Sequence, residues 1–173
     1  GGGSRTRGGL HVDAMKLWWL SALAVHICRS EELDAQYRYG SMIDAGSEGS
    51  RIYIFRWLPR QKPEIVFPDT LTSKANTRGV ASFALEPEGA GASLDALIEY
   101  AEHSLEHVRD QWSVSPIYLR ATAGMRLLTA GEREAVLTSL RARLRQSPFL
   151  FEDRFAVVAT GEEEGIYGWL AVN

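Results

Sequence analysis

The chain has 173 residues, 45% of them hydrophobic, which is enough for one ordinary domain around a single core and too few for two. A formal net charge of -3 and a pI near 5.8 leave no basic footprint, so nucleic acid is not expected as a partner. The single cysteine, Cys28, excludes an internal disulfide framework.

Residues 1–14 begin GGGSRTRGG, a flexible Gly-rich leader with no means of packing, and are read as lying outside the fold. From Met15 the chain runs MKLWWLSALAVHICRSEE: one lysine, about a dozen mostly apolar residues, then charge, the layout of a secretory signal. The apolar run is shorter than the ~18 residues that span a bilayer comfortably. Trp18, Trp19, Leu20, Leu23 and Val25 fall all round a helix rather than on one stripe, which argues against a buried amphipathic helix. Residues 15–30 are therefore expected to be a signal peptide or signal anchor, and residues 31–173 the ordered domain.

Residues 40–57 read as a β-hairpin. Met42 and Ile43 lead into Asp44, the turn AGSEGS supplies Gly46 and Gly49 for positive φ, and Ile52, Tyr53, Ile54 and Phe55 return as a strand. EIVFPDTL is expected to add a strand that Pro68 confines to an edge or an early end. TSKANTRGVASFALEPEGAGAS is expected to be mostly loop. A helix then opens at Ser93 as N-cap, with Asp95 in its first turn and Leu94, Leu97, Ile98, Ala101, Leu105, Val108 and Trp112 as its core stripe. Pro116 starts the strand PIYLRAT. A second helix, from Glu132 to about Gln146, packs through Val136, Leu137, Leu140 and Leu144. RFAVVAT is a further strand, and EEEGIYGWLAVN opens a helix after Gly161. The order predicts an α/β domain, a mixed sheet with flanking helices.

Three strands thus end in small-residue turns: Asp44-Ala45-Gly46-Ser47, Ala121-Thr122-Ala123-Gly124 and Thr160-Gly161-Glu162. In open α/β sheets ligands sit beyond the carboxyl ends of strands, so the three turns can converge on one cleft. Such turns let backbone N–H groups approach an anion, and Ser or Thr hydroxyls add donors. GSEGS is not a P-loop, because it lacks that spacing and its lysine, and a bare Gly/Ser hairpin turn is more often only a turn. Asp44 shifts the balance. A carboxylate beside a phosphate cradle is repulsive unless a divalent cation lies between them, and Mg²⁺ or Ca²⁺ takes such oxygen ligands. The acids of the third turn have a plain explanation for Glu162 and Glu163, which complement a helix N-terminus. Glu164 is the one placed to orient and deprotonate a water for in-line attack on a metal-bound phosphate.

IDAGSEGSRIYIFRW, IYLRATAGMRLL and VVATGEEEGIYGWLAVN resemble, in order and spacing, the first three conserved regions of the apyrase, or ecto-nucleoside triphosphate diphosphohydrolase, family. The resemblance runs from about Tyr39 to Asn173. It implies an actin-like ATPase (ribonuclease-H-like) fold of two lobes enclosing a nucleotide, of which this chain would supply the N-terminal lobe only. It also implies hydrolysis of the terminal phosphates of nucleoside tri- and diphosphates with Ca²⁺ or Mg²⁺, outside the cell or in the secretory lumen. Carried over by position, Asp44 would hold a metal-bound water, and Thr122 would serve the phosphate and a metal water. Ser47, Glu48, Gly49 and Ser50 would bind phosphate together with Thr122, Ala123 and Gly124, and Glu164 would be the catalytic base. Arg126 and Trp169 match motif positions and are read as structural.

Two departures qualify that expectation. Where the family commonly has a second Ser or Thr after DAGS, this chain has Glu48, and at ~5 Å and an effective dielectric near 20 each unit-charge repulsion costs on the order of 3 kcal/mol before a cation offsets it. Glu48 is expected to turn outward. The family's further phosphate turn, Asp-hydrophobic-Gly-Gly-Ala-Ser, would belong to a C-terminal lobe, so this polypeptide alone is expected to hydrolyse nothing measurable. The competing class is a non-catalytic fragment or pseudoenzyme of the same fold. Two other motifs are weaker. HSLEH, His103 to His107, fits a zinc-peptidase pattern, but on a solvent-facing helix such a pattern is a common accident. LRARLR is read as the solvated face of a helix whose leucines point to the core.

Overall fold

The computed structural model describes residues 36–60, 64–65, 71–72 and 79–163. The chain divides into two units, Gly1–Gln36 and Tyr37–Asn173, and the sheet and helices below belong to the second. The leader and the signal-like segment 15–30 lie outside the described residues.

The hairpin expected at 40–57 is present as β1 (Arg38–Ala45) and β2 (Ser50–Trp57), antiparallel with Ile43 opposite Ile52 and Ala45 opposite Ser50. Two short strands, β3 (Glu64–Ile65) and β4 (Leu71–Thr72), both pair antiparallel with β2, and β3 forms the sheet edge. Pro68 lies outside the described residues. β5 (Ile117–Ala121) runs parallel to β1, and β6 (Ala156–Val158) runs parallel to β5. The order is β3-β2-β1-β5-β6, a mixed sheet. With helices packed on it, it is the mixed sheet with flanking helices that the element order predicts.

Burial along the strands has period two, so one set of alternate positions faces a common core. Tyr39, Ile43, Ala45, Ile52, Ile54, Ile117, Leu119, Ala121 and Ala156 are all buried in one core. Helices close that face. α1 (Glu88–Ala92) and the 3-10 turn Val80–Phe83 lie within the segment expected to be mostly loop, so that expectation is corrected. Val80 and Phe83, three residues apart, are both buried, which gives the segment an apolar face despite its Gly and Ala content. Gly91 admits close packing on the later helix: its amide donates to Ser139 Oγ at 3.0 Å, and a Cβ there would stand 2.8 Å from the Ser139 carbonyl.

α2 runs Asp95–Ser104, and its N-cap is Leu94 rather than Ser93. Ser93 instead ends α1, its hydroxyl donating to the Ala90 carbonyl at 2.6 Å. The expected stripe is buried throughout, from Leu94 to Trp112, but it does not lie on one helix. At Leu105 (φ -104°, ψ 15°) the α-helix stops, and Glu106–Val114 continues as a 3-10 segment with a kink at Val108. The buried indole N–H of Trp112 donates to the Leu105 carbonyl at 2.8 Å, beside the Val108 amide, which donates to the same oxygen at 3.0 Å and closes the first 3-10 turn.

The break also removes the zinc pattern. His103 lies in the last turn of α2 while His107 lies in the 3-10 segment, edge-on to the Tyr39 ring at 5.8 Å, so the two do not share one helical face. The second expected helix is α4 (Ala130–Arg145), which follows the single turn α3 (Ala123–Arg126) and buries Val136, Leu137, Leu140 and Leu144. The arginines of LRARLR are engaged within the protein: Arg141 with Glu134, Arg143 with Asp95, Arg145 with Asp153.

Candidate functional site

Parallel pairing of β1, β5 and β6 places Ala45, Ala121 and Val158 side by side in register. Their carboxyl ends therefore share one edge of the sheet, as the sequence predicts. Backbone bonds extend the alignment past the strands: the Thr122 amide donates to the Ala45 carbonyl at 3.2 Å, and the Ala159 amide to the Ala121 carbonyl at 2.8 Å. Arg126 donates to the Ala159 carbonyl at 2.9 Å and so braces the second turn against the third, in keeping with its expected structural part.

The hairpin turn is closed by the Gly46 amide donating to the Gly49 carbonyl at 2.9 Å. Of the two turn glycines expected at positive φ, only Gly49 adopts it, at φ 149°, a conformation that side chains rarely adopt, so this glycine is required by the backbone itself and Gly46 is not. Ser47 and Glu48 are exposed, Gly49 is half-buried, and Ser50 is buried where β2 begins. Among the described residues the amides of Ser47, Glu48 and Gly49 donate to nothing in the protein. Three successive donors are thus left open in an exposed turn.

Asp44 stands on the opposite face of β1 from Ile43 and Ala45, half-buried. Its register neighbours are Arg51 on β2 and Arg120 on β5. Arg120 is committed elsewhere in part, donating to the Phe155 carbonyl at 2.9 Å. Asp44, Gly46, Ser47, Glu48, Gly49 and Arg51 line an open hollow of about 280 Å³. Glu48 is exposed, borders the same hollow as Asp44 and has no side-chain partner among the described residues. The residues that line the hollow therefore include two acids, one arginine and a turn with open amides, a composition suited to an anion together with a cation. Among the described residues no three His, Cys, Asp or Glu side chains cluster closely enough to form a metal site by themselves.

The second turn comes up beside the first. Thr122 is half-buried at the start of α3, Ala123 is exposed, and a Cβ on Gly124 would lie 3.7 Å from Ser47 Cβ. The third turn is described as far as Glu163. Residues 161–163 are helical, and Thr160 and Glu163 cap each other: Thr160 N–H donates to Glu163 Oε2 at 2.8 Å, and the Glu163 amide to Thr160 Oγ1 at 3.1 Å. The Thr160 amide first, and the Thr160 hydroxyl donating to the same Oε2 at 3.1 Å second, hold the Glu163 carboxyl below the usual glutamate range. Glu163 is thus a capping residue, as expected. Glu164 and Trp169 lie outside the described residues.

Two residues of this region had no place in the sequence reading. Arg51 follows directly after the turn, and its position opposite Asp44 needed the hairpin register. Gly79 packs on the turn from a distant loop.

The model of the GDA1/CD39 (nucleoside phosphatase) family matches residues 30–173. "Probable apyrase 3" of Arabidopsis thaliana is 40% identical over 138 residues, covering 79% of this chain and 28% of that protein. "Guanosine-diphosphatase" of Schizosaccharomyces pombe is 40% identical over 141 residues, covering 79% of this chain and 24% of that protein. The chain spans about a quarter of the length of these curated relatives. Among solved structures, a nucleoside triphosphate hydrolase from Neospora caninum aligns with a TM-score of 0.45 at 19% identity, over 88% of this chain and 35% of that one.

Proposed function

The chain belongs to the GDA1/CD39 (nucleoside phosphatase) family, and from that membership we propose that it carries the phosphate-binding lobe of a hydrolase acting on nucleoside tri- and diphosphates. The observation that carries the reading is the hollow at the β1–β2 turn, which Asp44 lines together with Ser47, Glu48 and Gly49, whose amides are open among the described residues. Amides alone would take any anion. A carboxylate among them repels a phosphate, so the set fits a phosphate that arrives with a hard cation, Ca²⁺ or Mg²⁺.

Asp44 would hold that cation through water, and Thr122 would reach it through another. A bound cation would neutralise charge on the phosphate oxygens. The turn amides and the Ser47 hydroxyl hold the terminal phosphate, with Ala123 and Gly124 leaving room on the second turn. Glu164 takes the proton of a water whose oxygen attacks phosphorus in line, as the bond to the bridging oxygen breaks. A second lobe is required to close the cleft, so the 173-residue polypeptide is expected to release no measurable phosphate alone. The compartment proposed is the secretory lumen or cell exterior, with residues 15–30 as signal or anchor. Among the described residues no helix is long and apolar enough to cross a membrane.

The test is Glu164→Gln in a polypeptide that joins this lobe to its second lobe. Phosphate release should fall about 10²- to 10⁴-fold while metal–nucleotide binding persists. Release near the parent rate would remove Glu164 from the role. The non-catalytic reading has one observation in its favour, an acid, Glu48, among the residues that line the same hollow as Asp44. Glu48→Thr discriminates: a gain of tenfold or more (about 1.4 kcal/mol) would mean that Glu48 suppresses activity, whereas a near-neutral result fits a side chain turned to solvent.

A further inference from the structure

Gly79 precedes the 3-10 turn Val80–Phe83 with φ -59° and ψ 151°, angles that any residue can adopt. Space rather than conformation restricts the position. A Cβ on Gly79 would stand 2.1 Å from the Ser47 carbonyl oxygen, 2.5 Å from the Ser47 carbonyl carbon and 2.7 Å from the Gly46 carbonyl oxygen. All three are backbone atoms of the hairpin turn, with no flexible end to move aside.

We propose that Gly79 is a positioning residue for this turn: the Gly46 and Ser47 carbonyls seat against its bare Cα, which turns the Ser47 and Glu48 amides toward the hollow. The proposal rests on the phosphate reading of that hollow. Its basis is peptide geometry. In a trans peptide the C=O and the following N–H point in opposite directions, and the described residues contain no cis peptide. The two oxygens approach Gly79, which does not line the hollow, so the N–H groups of the same two peptides point away from it. Neither amide donates within the protein among the described residues. Two successive amides turned the same way form a concave donor surface for an anion. Gly124 presses on the same seat more gently: its Cβ would meet Ala81 Cβ at 3.2 Å and Ser47 Cβ at 3.7 Å.

The experiment is amide-resolved NMR of the 173-residue chain, titrated with Mg²⁺ and a nucleoside triphosphate whose β,γ-bridging oxygen is replaced by nitrogen. In the parent chain the Ser47 and Glu48 amides should shift on titration. In Gly79→Ala both resonances should already be displaced without ligand, and the apparent Kd should weaken about tenfold or more, since small misplacements of binding groups are costly. Gly91→Ala is the control, because it meets a backbone oxygen at 2.8 Å away from the hollow. It should lower Tm and leave Kd within about twofold of the parent. Gly124→Ala should weaken binding two- to threefold (about 0.4–0.7 kcal/mol), and it carries the test if Gly79→Ala does not fold.

An unchanged Kd in Gly79→Ala, or in Gly124→Ala should it stand in, would overturn the proposal and leave the phosphate reading intact. Weaker binding by Gly91→Ala in proportion to its loss of Tm would also overturn it, because stability alone would then explain the effect. A parent chain whose turn amides ignore the metal–nucleotide would sink the phosphate reading, and the positioning role with it.

Discussion

At the scale of single residues, two capping boxes show how far a local pattern can be trusted. Thr129 and Glu132 satisfy each other's backbone at the start of α4, with the Thr129 amide donating to Glu132 Oε2 at 2.9 Å. Thr160 and Glu163 repeat the arrangement. Both are Thr-x-x-Glu in the sequence, yet α4 begins two residues before the expected Glu132, because the glutamate of such a box sits at the third helical position. Thr129→Ala should cost about 1 kcal/mol in urea unfolding. The Glu132 carboxyl is held below its ordinary range by the Thr129 hydroxyl first and its amide second. A carboxyl lowered in the folded state stabilises above its unfolded pKa, and that contribution fades as pH falls through the folded value. Glu132→Gln should therefore show a flatter loss of stability below about pH 4.3 than the parent, measured as the urea midpoint against pH. An identical acid limb would show that the bond contributes nothing. Gly79 is the opposite case at this scale. Its angles are ordinary, and its need for glycine comes from a backbone segment that is remote in sequence.

At the scale of elements, apolar spacing located each helix and strand whose core face is continuous, and it misjudged how those faces are divided. The stripe from Leu94 to Trp112 reads as one helix because all its members are buried, but burial does not require them to share an axis. After the helix stops, the Leu105 carbonyl accepts from both the Val108 amide and the Trp112 indole N–H. Trp112→Phe removes the N–H and leaves the Leu105 carbonyl with the Val108 amide as its donor. The expected loss for the bond is about 0.5–1.5 kcal/mol in chemical unfolding. If stability were unchanged, the indole bond would add nothing to that of the amide. The loop expected across 72–93 failed for a related reason. Gly and Ala there serve close packing of α1 on α4, where small residues permit approach, rather than freedom of the chain.

At the scale of the whole molecule, β5 holds the arrangement together, since it lies between β1 and β6 and Leu119 is wholly buried beneath the helices. Leu119→Ala should cost about 2–5 kcal/mol. With one core, the loss should appear at the same denaturant concentration by far-UV circular dichroism and by tryptophan fluorescence. Separate transitions would mean that the helices and sheet unfold independently. The sequence by itself determined the elements that local rules govern: alternation in β1, β2 and β5, helical periodicity in α4, and three small-residue turns at strand ends. Motif order was sufficient to reach the family, because those turns recur at set spacing along the chain. What only the tertiary structure decided was contact across large sequence separations: the level register of Ala45, Ala121 and Val158, Arg51 opposite Asp44, and Gly79 against the Gly46 and Ser47 carbonyls. Backbone propensity acts over a few neighbours, whereas approach between distant segments is set by the shape of a core that no short stretch of sequence specifies.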